Sequence, residues 1–172
     1  MVLKEQILSS IIDSIFKLDS PKIDESRKTQ ISNFVISTIN GDIPDDYLAI
    51  NANFSENNKG ATVFILTNLR LIKIDIAPKE IKSSSFPLNT IIGIDRKIVN
   101  DDRAEFNISF QNGSFGLRYP QDDQSITDFF QKVDQKRYSI GAAFFYINKV
   151  NDKTDAINDR LIRVETKLEI KK

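Results

Sequence analysis

The chain has 172 residues, 40% hydrophobic and 28% charged, the balance of an ordinary globular protein of about one domain. Lys plus Arg and Asp plus Glu are 24 each, so net charge is zero and no basic excess advertises a nucleic-acid partner. With no Cys and no His, thiol catalysis, disulfides, Cys or His metal sites and the commonest general base are excluded.

Leu3, Ile7, Leu8, Ile11, Ile12, Ile15, Phe16 and Leu18 recur at helical spacing and predict an amphipathic helix. Polar residues such as Lys4, Glu5, Ser9, Ser10 and Asp13 interrupt it, so it is neither a signal peptide nor a spanning segment. The reading is a soluble, cytoplasmic protein. Asp19-Ser20-Pro21 stops this helix and starts another, whose apolar side is Ile31, Phe34, Val35 and Ile39 and whose stop is Asn40-Gly41. Residues 1–45 are therefore expected to form a helical hairpin that buries its stripes on itself and on another surface.

Residues 46–138 read as strands and then a helix. Tyr47 to Phe54, Ala61 to Leu66 and Leu69 to Ile76 are strand candidates. In the last, Arg70, Ile72, Ile74 and Ile76 share one face, and Leu71, Lys73 and Asp75 the other. Ala77 to Ser85, with Ser83-Ser84-Ser85, reads as a polar loop. Ile91 to Val99 is a further strand candidate. Ala104, Phe106, Ile108 and Phe110 alternate with polar residues, Asn112-Gly113 follows, and Phe115, Leu117 and Tyr119 alternate again. Period two on both sides of Asn-Gly predicts a hairpin turning at those two residues. Ile126, Phe129, Phe130 and Val133 then make a one-sided helix that would plug the open end of a strongly bent antiparallel barrel or sandwich.

Two segments carry a family resemblance. Phe64-Ile65-Leu66-Thr67-Asn68-Leu69-Arg70-Leu71-Ile72 and Phe86-Pro87-Leu88-Asn89-Thr90-Ile91-Ile92-Gly93-Ile94 resemble consecutive strand segments of bacterial pleckstrin-homology-like domains, and the GRAM-type domains share the pattern. The resemblance covers roughly residues 46–138 and implies an α+β fold with a bent antiparallel sheet closed by a helix. Many eukaryotic members clamp phosphoinositides with several Lys and Arg in the first loop. Here Ser55 to Gly60 holds Lys59 beside Glu56, so that function is not carried over.

Residues 139–172 form the third part. From Ile140 onward, apolar residues alternate at spacings of three and four, a heptad seam of about four heptads. Ile147, Thr154, Leu161 and Leu168 take position a, and Val150, Ile157 and Val164 take position d. These are the candidate oligomerisation residues, with a lone helix folded back on its own domain as the alternative. Leu at a with β-branched residues at d favours a trimer or tetramer over a dimer. In a parallel pairing Arg160 attracts Glu165 and Lys167 repels Lys172.

No GxGxxG or GxxxxGK[ST] loop is present, and no cofactor or metal is expected. Asp45-Asp46, Asp101-Asp102 and Asp122-Asp123 read as turn or helix-start residues. The sequence therefore points to a non-enzymatic interaction and self-assembly module whose partners are its own copies and another protein. One alternative is a membrane adaptor in which Lys79, Lys82, Arg96, Lys97 and Arg103 converge on anionic lipid. The other is an enzyme with a carboxylate or lysine site.

Overall fold

The computed structural model describes residues 2–18, 25–51, 61–77 and 79–169. Helices α1 (Val2–Leu18) and α2 (Glu25–Ile39) lead into two antiparallel sheets, and a helix of 46 residues follows. Asp19 to Asp24, which include the expected first stop, lie outside the described residues. At the second, Asn40 (φ 37°) and Gly41 (φ 89°) take left-handed backbone, and the Asp42 N–H donates to the Ile39 carbonyl at 3.0 Å. This is a glycine-assisted C-terminal cap.

The first sheet has the order β1 (Pro44–Asn51), β2 (Ala61–Thr67), β3 (Arg70–Ile76), β4 (Ile81–Pro87). Every residue of β2 is buried, because both faces of the sheet are covered. On one face Val63, Ile65, Ile72, Ile74 and Ile76 pack against Ile11, Ile15, Ile31, Val35 and Ile39 of the two helices. On the other, Phe64, Leu66 and Leu71 enter the main core. A strand covered on both sides reads as a continuous apolar run rather than an alternation, as Ala61 to Leu66 does.

Arg70 lies on the helix-facing side of β3, as its alternation predicts, and ties the layers together. Its Nε donates to Asp42 at 2.6 Å, one terminal nitrogen reaches the Thr38 and Ile39 carbonyls, and the other reaches the Ser85 hydroxyl. A cation on the last carbonyls of α2 is favourable with the helix dipole. Arg70→Ala should cost about 1.5–3 kcal/mol in urea unfolding, the range for hydrogen bonds to charged groups. Arg70→Lys should recover only part of this, since an ammonium lacks the guanidinium fork.

Two expectations need correction in this sheet. Ala77 to Ser85 is not wholly a loop: Ile81–Pro87 is β4, and Ser83-Ser84-Ser85 pairs with Ile74, Lys73 and Ile72. The segment is polar because it is an edge strand with Lys82 to Ser85 exposed, and its conformation comes from β3's ladder rather than from a buried face. Asp45-Asp46 is not at a turn but inside β1, where Asp45 meets Lys136 and Asp46 meets Lys132 at 2.5 Å on the last helix.

The second sheet has the order β5 (Ile91–Asn100), β6 (Arg103–Phe110), β7 (Gly113–Pro120). The predicted hairpin forms, but its turn is Gln111-Asn112, since Phe110 pairs with Gly113. Gly113 opens β7 at φ 154°, a region L side chains rarely adopt, and a Cβ there would meet nothing within 4 Å. Gly113→Val should therefore cost about 1–3 kcal/mol through backbone strain alone, measured as a fall in thermal midpoint without a change of core packing.

Among the described residues no strand pairs across the two sheets, so they form a sandwich and not a closed barrel. A single 3-10 turn, Leu88–Thr90, carries the chain from one sheet to the other. Its Leu88 is fully buried, and the Leu88 N–H donates to the Leu69 carbonyl at 3.0 Å. Helix α3 (Gln124–Glu169) fills the mouth with Ile126, Phe129, Phe130 and Val133, all buried. Its start is capped by Asp123, whose carboxylate accepts the Ser125 N–H at 3.2 Å and its hydroxyl at 2.5 Å.

Candidate functional site

Plug and seam are one uninterrupted helix. Ile126, Phe129, Phe130 and Val133 lie in the core, Ile140 packs half-buried at its margin, and the Arg137 guanidinium donates to the Ile91 and Ile92 carbonyls. Beyond Ile140 the domain stops covering the helix. Every described side chain from Gly141 to Arg160 is exposed. At 1.5 Å per residue the stretch to Glu169 is a rod of roughly 43 Å.

The seam residues sit on this rod. Ile147 is 54% exposed, Val150 61% and Ile157 57%; Thr154 is exposed, with its hydroxyl donating to the Val150 carbonyl at 3.0 Å. Leu161, Val164 and Leu168 continue the seam along the same helix, with their side chains outside the described set. The described part of the rod thus does not lie back on its own domain.

At the helix root, Lys132 is held above the usual ammonium range by its hydrogen bond to Asp46 and that carboxylate's charge. Burial pushes the Lys136 ammonium down. The Asp45 carboxylate lies in direct contact with that ammonium. These paired carboxylates fasten helix to sheet. Asp101-Asp102 lies in the β5–β6 turn, as expected. No group of three potential metal-ligating side chains occurs among the described residues.

The five cations weighed for anionic lipid stand on separate features. Lys79 and Lys82 flank the β3–β4 turn, and Lys82 pairs with Glu80 at 2.9 Å. Arg96, Lys97 and Arg103 lie on the β5–β6 hairpin. Arg96 donates to the buried Tyr119 hydroxyl at 2.7 Å and to the Gln121 carbonyl, a structural tie. No described helix is long and apolar enough to cross a membrane.

Sequence reasoning missed a hollow of about 530 Å³ at the open end of the sandwich, between the end of β4 and the β6–β7 turn. Phe86 and Phe110 stack there at 4.4 Å between centroids, with Phe115 at 5.2 and 5.7 Å from them. None of its lining residues is charged. The three rings come from three strands, so only the tertiary fold assembles them.

Four plus three antiparallel strands in two sheets, closed at one end by a following helix, are the arrangement that the pleckstrin-homology-like resemblance implies. Solved structures similar to this chain include a pleckstrin homology domain from Shewanella amazonensis SB2B, 14% identical, covering 63% of this chain and 96% of that one at a TM-score of 0.44. Another is a DUF1696 family protein with a pleckstrin-homology domain from Shewanella loihica PV-4, 18% identical, covering 51% and 93% at a TM-score of 0.35. No family model matches the sequence, and no curated protein matches it.

Proposed function

We propose that this protein is a non-enzymatic interaction and self-assembly module, in which a pleckstrin-homology-like sandwich is carried on a self-associating helical rod. The observation that carries this reading is the exposure of Ile147, Val150 and Ile157 on a rod that its own domain leaves uncovered. A solvated lone helix has no reason to keep apolar residues at six of seven a and d positions, whereas copies of the same helix bury them in register. Leu at a with β-branched residues at d favours three or four strands. Bringing several sandwiches together raises the effective concentration of whatever protein surface they bind.

Light-scattering mass of the full chain tests this. The expected result is about three or four times the 19.6 kDa chain at micromolar concentration. A mass of one chain removes the reading.

A further inference from the structure

We infer that the rods pair in parallel, which gathers the sandwiches at one end of the assembly. The inference rests on the reading of α3 as a self-associating seam and fixes the partner's direction. With Ile147 at a, the positions flanking the seam are Lys153, Arg160 and Lys167 at g, and Asn151, Asn158 and Glu165 at e. Lys153 and Arg160 are both exposed on the free rod.

An antiparallel pair sets g against g and e against e. In the register that overlaps the free rods most, Thr154 packs on Ile157 of the second copy. Lys153 then faces Arg160 of that copy, and by symmetry the repulsion occurs twice. Shifting the register by a heptad changes which cations meet but not their sign, because every charged g position on the rod is basic. A parallel pair sets g against e. Lys153 then faces neutral Asn158, and Arg160 faces Glu165 with opposite charge. The remaining parallel contact, Lys167 with Lys172, sets like charges together and offsets that pair. Charges on the flanks therefore roughly cancel in a parallel pair, whereas an antiparallel pair carries uncompensated like-charge contacts.

The absence of native cysteine makes direction measurable by cross-linking in the full chain. Parallel rods bring Val150 beside Val150, so Val150→Cys alone should oxidise to disulfide-linked pairs. In the best antiparallel register Val150 faces Leu161, and two Val150 positions are about 16 Å apart, beyond the roughly 7 Å Cα limit of a disulfide. A mixture of Val150→Cys and Leu161→Cys chains that forms only the mixed disulfide would overturn the parallel assignment. Both sites lie on the free rod, away from the folded core. Arg160→Glu supplies a second readout: it should weaken association about two- to four-fold if rods are parallel, from loss of one surface ion pair and gain of a like-charge pair. Tighter association of that variant would also overturn it. A monomeric wild-type mass would instead remove self-association itself, and parallel pairing with it.

Discussion

Phe130→Ala is expected to lower unfolding free energy by about 3–5 kcal/mol, the largest effect of any single truncation considered. The ring is fully buried where both sheets and the helix meet. Its centroid lies 4.8 Å from Phe106 of the second sheet, 5.4 Å from Phe64 of the first and 5.3 Å from Phe129 on its own helix. Edge-to-face and tilted ring pairs of this kind add to the area they bury. The neighbours are held by two separate ladders, so they cannot collapse into the space, and the residual cavity adds to the lost transfer free energy. Chemical denaturation of wild type and variant gives the number. An unchanged midpoint would mean that α3 does not close the sandwich.

The parts legible in the sequence are those where one face is buried and the other wet. The β6–β7 alternation is plain because Ala104, Phe106, Ile108 and Tyr119 are buried while intervening residues face outward. The helical stripes of α1 and α2 are plain for the same reason, and the sheet face they cover is the Arg70, Ile72, Ile74, Ile76 side of β3. β4 was hidden because an edge strand with five of its seven residues exposed shows no core-facing alternation. The hairpin turn slipped by one residue because Gly113 uses its positive φ as the first residue of β7 rather than inside the turn.

Longer-range features left no local trace. Asp45 and Asp46 look like turn residues until Lys132 and Lys136 arrive from the far end of the chain. Arg70 looks like one more residue on a strand until Asp42 and the last carbonyls of α2 converge on it. Cations used in this way are spent on internal ties: Arg70, Arg96, Lys132, Lys136 and Arg137 each hold a carboxylate, a hydroxyl or a carbonyl of the domain. The heptad spacing is legible in the sequence, and the stretch that carries it is helical. Whether the domain covers it is not legible, because periodicity records that a stripe needs a partner without saying which surface provides one.

Ile157→Asp separates those two possibilities with the least disturbance to the rest of the molecule. The side chain is more than half exposed on the single chain, so its replacement should leave the sandwich's unfolding free energy within about 0.5 kcal/mol of wild type, the usual range for surface changes. In a parallel bundle the same position is a central d layer. Each copy there loses about 1.5–3 kcal/mol of apolar burial and gains a carboxylate that must leave water beside identical carboxylates from its neighbours. These losses recur in every chain of the assembly, so the oligomer should dissociate fully at micromolar concentration. The expected result is therefore a well-folded protein of single-chain mass, in contrast to the assembled wild type. A variant that keeps the wild-type oligomer mass would show that Ile157 is not in the interface and that the seam does not hold the copies together.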